Sequence, residues 1–258
     1  MKILSNILLA MLSLINVAAY GQLTKITMNT PKKVLIVVTS FDEVKSVGKK
    51  TGLWLEEFST PYYLFTGKGI AVTIASPRGG KSPIDPKSLL PDYITPSAKR
   101  FLDDKEAQER LNNTVELTSV KANDYDAIFY PGGHGPMWDL PENEKSIELI
   151  ETFYNTGKPV AMVCHAPAVL KNVKAKNGDL LIKGKTVAGF TNTEEAAGQS
   201  EDMVPFLLED MLISNGGNYK KGEDWKGFMV NDGLLITGQN PASAELVGEK
   251  IVELLKVK

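Results

Sequence analysis

The chain has 258 residues, 29 basic and 31 acidic side chains, a formal net charge of −2, one cysteine and two histidines. That balance excludes a dedicated nucleic-acid binder and a protein held to anionic lipid by charge; a lone cysteine excludes an internal disulfide framework. A chain this long buries a sizeable core in one domain without cross-links.

Met1-Lys2 opens an apolar run, ILSNILLAMLSLINVAA, that ends in small residues. A positive start, an apolar core and a small-residue exit predict a secretory signal peptide over residues 1–21, cut after Ala19 or Gly21. No cysteine stands near the cut to carry a lipid. The mature protein is therefore expected to be exported, periplasmic or secreted. Residues 22–31 read as a linker and 32–258 as one domain.

Short runs rich in Val, Ile and aromatics follow at 34–39, 71–75, 127–130, 160–163, 186–190 and 234–237. They do not alternate polar with apolar, the mark of parallel strands buried on both faces. Between them lie helical periodicities at 53–65, 144–154, 204–213 and 242–255, the first bent or interrupted by Pro61. Residues 79–117 are polar and proline-bearing, an excursion over the sheet with a short helix at Pro96–Asp103. Asn231-Asp232-Gly233 predicts a hairpin. Strands alternating with helices give an α/β sandwich with a mostly parallel sheet.

In such sheets, sites form beyond the carboxyl ends of the strands. Gly132-Gly133-His134-Gly135 follows one strand end, Cys164-His165 the next, and Glu194-Glu195 lie just beyond a third. Cys164 stands where a strand passes into a helix, the geometry of a nucleophile elbow. A helix N-terminus there would favour a thiolate, ionised at neutral pH and open to solvent. Adjacency does not make His165 its base; a base needs a carboxylate to hold its ring. Glu195 or Glu194 can serve, although both also suit the first turn of a helix. The glycines let backbone N–H groups of Gly132, Gly133 and His134 approach an oxyanion. They lack the spacing of a phosphate loop. Two histidines and one cysteine match no standard zinc spacing, so no metal is expected.

AMVCHAPAVL, YPGGHGPMWDL, TGLWLEEFSTPYYLF and GQNPASA together resemble the ThiJ/PfpI superfamily, which is related to class I glutamine amidotransferases. The similarity is greatest to its branch of heat-shock chaperones with glutathione-independent glyoxalase (glyoxalase III) activity. The resemblance implies a flavodoxin-like three-layer sandwich with helices on both faces. It implies Cys164 as nucleophile, His165 and Glu195 as the rest of a triad, and Glu57 as a buried glutamate hydrogen-bonded to the cysteine. Gly133 and His134, with Gly132, match the oxyanion loop. It further implies a homodimer, a small reactive aldehyde as substrate or damaged proteins as clients, and no cofactor. Family members also include cysteine peptidases or amidases, deglycases, and non-enzymatic stress holdases or redox sensors. The export segment is a departure, because relatives of this branch are mostly cytoplasmic.

Overall fold

The computed structural model describes residues 30–257; the expected signal segment and most of the linker lie outside the described residues. The chain enters through β1 (Lys33–Val37), buried after its first residue. A small antiparallel pair follows, β2 (Glu43–Val44) with β3 (Lys49–Lys50). Next come α1 (Leu55–Gly67) and β4 (Ala71–Ser76). The proline-bearing excursion holds the expected helix α2 (Pro96–Asp103), capped by the Thr95 side chain. It also holds a second helix, α3 (Lys105–Asn112), capped by Asp104, and ends in β5 (Val115–Glu116).

The central sheet then resumes with β6 (Ala127–Tyr130), followed by the single turn α4 (Pro136–Asp139), α5 (Glu144–Asn155) and β7 (Val160–Val163). The α5 start is set by Asn143, whose side chain accepts from Ser146 N–H at 2.9 Å; Leu149, Ile150 and Phe153 turn its apolar stripe inward. Beyond lie β8 (Thr186–Val187), α6 (Asn192–Ala197), α7 (Leu208–Ser214) and β9 (Asn218–Tyr219). The predicted hairpin is β10 (Met229–Asp232) with β11 (Leu235–Gly238), and α8 (Ala244–Leu254) closes the fold.

The seven-stranded sheet runs β10-β11-β7-β6-β1-β4-β5, parallel throughout except for β10. Its parallel strands β4-β1-β6-β7-β11 follow the 2-1-3-4-5 order of flavodoxin. Right-handed crossovers that leave the centre in opposite directions put α1 and α5 on opposite faces. The chain thus builds the expected three-layer sandwich around Val34–Val38, Ile128–Tyr130 and Val160–Val163, all fully buried.

Three expectations need correction. Residues 186–190 do not form a strand of the central sheet: only Thr186–Val187 is extended, and it pairs with β9 in a separate ribbon. β11 already occupies the place beside β7, so this segment crosses the sheet end instead. There, Ala188 N–H donates to Thr237 Oγ1 at 2.8 Å. The helix expected from residue 204 starts at Leu208, because Pro205 keeps Val204 extended (φ −112°, ψ 142°). Helix α1 runs on through Pro61. Its buried Leu55, Phe58, Tyr62 and Phe65 anchor it to the core, and α8 packs against it through Gly248, where a Cβ would stand 3.0 Å from Leu64.

Candidate active site

The site lies at the carboxyl ends of β6 and β7, against the start of α1. Cys164 leaves β7 with φ +61°, a left-handed conformation that is costly for any residue with a Cβ. Two backbone bonds impose it. Cys164 N–H donates to Gly238 C=O at 3.0 Å, and Phe190 N–H donates to Cys164 C=O at 2.9 Å. The strand-to-helix junction is therefore an elbow, as its position predicts. The helix behind it differs from expectation: Ala166–Asn172 is 3-10, with Pro167 in its first turn. Its short, tight turns give the sulfur little of an α-helix dipole.

The elbow brings Cys164 Sγ to 3.2 Å from His165 Nδ1. On its other side, His165 Nε2–H donates to Glu195 Oε2 at 2.7 Å. That bond fixes the tautomer: the proton sits on Nε2 and the Nδ1 lone pair faces the sulfur. Burial lowers the His165 pKa from its usual 6.5, against the pull of Glu195, so the ring is neutral at pH 7.

Glu195 is buried in α6, and its second oxygen accepts from Ser200 Oγ at 2.6 Å and His134 Nε2 at 3.1 Å. Burial works against its charge. Attraction to His165 and the bonds from His134 and His165 prevail and hold it well below the usual carboxylate range. Three converging donors keep it ionised even with His165 neutral. The neighbouring acid is sorted differently. Glu194 forms a capping box with Thr191 and turns away from His165.

Glu57 approaches from the first turn of α1, with no exposed surface. Its Oε2 accepts from Gly132 N–H at 2.7 Å. Its Oε1 has no partner of good hydrogen-bond geometry, yet the carboxyl lies beside Cys164 and each group perturbs the other. Burial raises the Glu57 pKa well above 4.5, only partly offset by Cys164 and Gly132. Glu57 is thus a neutral acid held beside the sulfur.

This environment overturns the expectation of a standing, solvent-open thiolate. Cys164 is 3% exposed, and burial first, then the Glu57 carboxyl, pushes its pKa well up; Gly133 N–H acts in the opposite sense. The resting form is a thiol poised between a neutral base and a neutral acid.

The glycines are needed for space. A Cβ on Gly132 would stand 2.7 Å from Glu57 Oε2 and 2.9 Å from Cys164 Cβ; one on Gly133, at φ +91°, would strike Gly52 C=O at 2.4 Å. The oxyanion expectation is narrowed here. The Gly132 amide is committed to Glu57, while Gly133 N–H is directed at the sulfur. Asp139 ties α4 to the end of β1. It accepts from Ser40 N–H at 2.7 Å and Thr39 Oγ1 at 2.8 Å.

Cys164 and His165 floor a cavity of about 40 Å³ walled by Trp54, Phe190, Trp225 and Pro241. A water needs roughly 10–15 Å³ of such space, so the cavity takes a molecule of a few heavy atoms. Through His134, Lys87 and Ser200 it adjoins a wider vestibule of about 320 Å³. His134, His165 and Glu195 also bring their ligand atoms within 4.8 Å of one another, a set that can hold a metal ion. Sequence reasoning did not reach Ser200, or the aromatic walls Trp54, Phe190 and Trp225. It reached Glu57 through resemblance alone. The available signal was position: Glu57 lies four residues before Pro61, on the buried stripe of α1.

The DJ-1/PfpI family profile matches residues 36–254. Glyoxalase 3 of Candida albicans is 34% identical over 229 residues, 85% of this chain and 97% of its own length. The glutathione-independent glyoxalase HSP31 of Saccharomyces cerevisiae is 32% identical over 237 residues, 88% of this chain and 99% of its own. Among solved structures, the rapid encystment protein of Francisella tularensis superposes with a TM-score of 0.83 at 38% identity, covering 87% of this chain and 99% of its own.

Proposed function

The chain belongs to the DJ-1/PfpI family, and on that footing we propose that it is a cysteine-dependent glyoxalase. It converts methylglyoxal or a related 2-oxoaldehyde, with one water, to the 2-hydroxy acid without glutathione. The observation that carries the reading is the relay from Cys164 through His165 to Glu195, with neutral Glu57 on the other flank, at the floor of a cavity sized for a few heavy atoms. Relatives of similar length that bear the glyoxalase name support it.

The chemistry follows from where the protons sit. His165 Nδ1 takes the thiol proton as sulfur attacks the aldehyde carbon, and the carbonyl oxygen becomes the hydroxyl of a hemithioacetal. Glu195 stabilises the imidazolium so formed. Gly133 N–H stabilises charge on the new oxygen. A base then removes the hydrogen on C1, giving an enediol, and a proton returns to C2. C1 is oxidised to a thioester while C2 is reduced from ketone to alcohol, so no external oxidant or reductant is needed. Water adds to the thioester and expels the Cys164 thiolate, which regains its proton. Glu57 and His165 both stand beside the sulfur, and the neutral acid supplies the protons that the neutral base removes.

The cysteine peptidase or amidase alternative finds less support in so enclosed a sulfur. Export to the periplasm or medium, a homodimer and a chaperone role toward damaged proteins complete the proposal; the first rests on the pattern of residues 1–21, the others on family resemblance. The test is methylglyoxal loss and lactate formation by purified, glutathione-free protein beside Cys164→Ser. A wild type that cleaves peptides and leaves methylglyoxal untouched overturns the assignment, as does full activity in the variant.

A further inference from the structure

We propose that Trp225 is the specificity-determining wall of the Cys164 cavity, limiting the substrate to a 2-oxoaldehyde with a methyl-sized side chain, and that Glu194 is the positioning residue that holds it there. The inference rests on the glyoxalase reading and names its substrate class.

Trp225 has φ +62°, a conformation that a bulky side chain adopts only when its surroundings impose it. The imposing group is Glu194, fully buried behind the site. Its Oε1 accepts from Trp225 N–H at 2.7 Å, and the same oxygen accepts from Asn240 Nδ2 at 2.8 Å and Gln239 Nε2 at 3.2 Å. Next to Trp225, Asp224 Oδ1 accepts from Thr193 Oγ1 at 2.8 Å. The loop carrying the indole is thus clamped from both sides to the first turn of α6, the helix that supplies Glu195.

The clamp sets the indole edge-on against Phe190, at 5.7 Å between ring centroids, and Phe190 in turn lies on the His165 ring at 4.2 Å. Trp225 lines the same cavity as the sulfur, yet half of its own surface faces solvent. A residue kept only for packing has no need of strained backbone and a buried carboxylate to present a half-exposed ring. Truncation at this position opens the cavity outward and leaves the core filled. With the indole in place, the space at the sulfur accommodates a methyl group on the ketone carbon and excludes a phenyl ring.

The experiment compares wild type, Trp225→Ala, Trp225→Phe and Glu194→Gln on methylglyoxal and phenylglyoxal. Pocket walls commonly discriminate on the order of tenfold or more. The ratio of kcat/KM, methylglyoxal over phenylglyoxal, is expected to fall on the order of tenfold in Trp225→Ala, through KM for the aryl substrate, with Trp225→Phe and Glu194→Gln shifted less in the same direction. A wild-type protein active on methylglyoxal whose ratio is unchanged in Trp225→Ala overturns the inference. A second readout is independent of turnover: alkylation of Cys164 by N-phenylmaleimide should accelerate in the variants relative to iodoacetamide. Equal acceleration of both reagents, or of neither, also overturns it. If wild type turns over neither aldehyde, the glyoxalase reading fails while the alkylation ratio still decides the role of Trp225. Should Trp225→Ala not fold, the Phe and Gln variants carry both comparisons.

Discussion

Replacing Glu195 with Gln removes one charge and leaves the shape intact, and the surrounding donors dictate how the amide must sit. Ser200 Oγ at 2.6 Å and His134 Nε2 at 3.1 Å both present hydrogens to Oε1, so the amide oxygen is held there. The NH₂ then faces His165 Nε2, which must become an acceptor. The imidazole proton moves to Nδ1, toward the sulfur, and the base is lost. Fixing a catalytic histidine in the wrong tautomer costs on the order of 10³–10⁴ in kcat, or about 4–5.5 kcal/mol. Steady-state lactate formation with matched thermal midpoints measures this loss. Glu195→Gln/Ser200→Ala supplies a sharper check. With the serine gone and His134 free to switch tautomer, the amide can turn and restore the proton to Nε2, so the double variant should be more active than the single one. Retention of more than about a tenth of wild-type activity in Glu195→Gln would refute the assigned tautomer, as would a double variant worse than the single.

Glu57→Gln keeps an acceptor for Gly132 N–H and a donor to sulfur, and loses only the mobile proton; activity should fall on the order of tenfold or more with little change in folding. Glu57→Leu strands the buried Gly132 N–H and should also lower stability by about 1–3 kcal/mol in chemical denaturation. The acid limb of kcat/KM should have its inflection below 6.5, the direction in which burial moves His165: activity is lost as pH falls through that point and the base becomes protonated. Stability carries a separate signature at Glu56, whose pKa is raised from 4.5 to about 7 by burial and then by the charge of Glu245. Between those values the folded protein keeps a proton that the unfolded chain has lost, so its contribution is complete below 4.5 and lost as pH rises toward 7. The full shift would be worth roughly 3 kcal/mol; partial exposure reduces it to about 1–2. Glu56→Gln should flatten that part of the slope in urea titrations, and Glu57 leaves a residual slope of the same sign.

The sheet was legible because its strands are apolar on both faces, and 127–130 and 160–163 carry their boundaries in composition. Residues 186–190 have the same composition and mislead, since which strand fills the place beside β7 depends on the hairpin some forty residues later. The meeting of Cys164, His134 and His165 followed from the strand-end rule; the α6 acids join them although the segment before them is not a strand of the central sheet. That rule could not separate Glu195 from Glu194. The difference lies in the capping box: Thr191 takes Glu194, and the helical rotation of one residue turns Glu195 toward His165. A thiolate was expected at Cys164 because a helix start is visible in sequence, whereas the depth at which the elbow buries the sulfur is not.

Every later step depends on sulfur attack by Cys164 within the cavity, and rapid-quench mass spectrometry of protein mixed with methylglyoxal tests that step most directly. A single substrate-derived adduct on the Cys164 peptide, formed and cleared at the rate of lactate release and absent from Cys164→Ala, is the predicted result. Adducts confined to lysine and arginine, with lactate still released by Cys164→Ala, would contradict it.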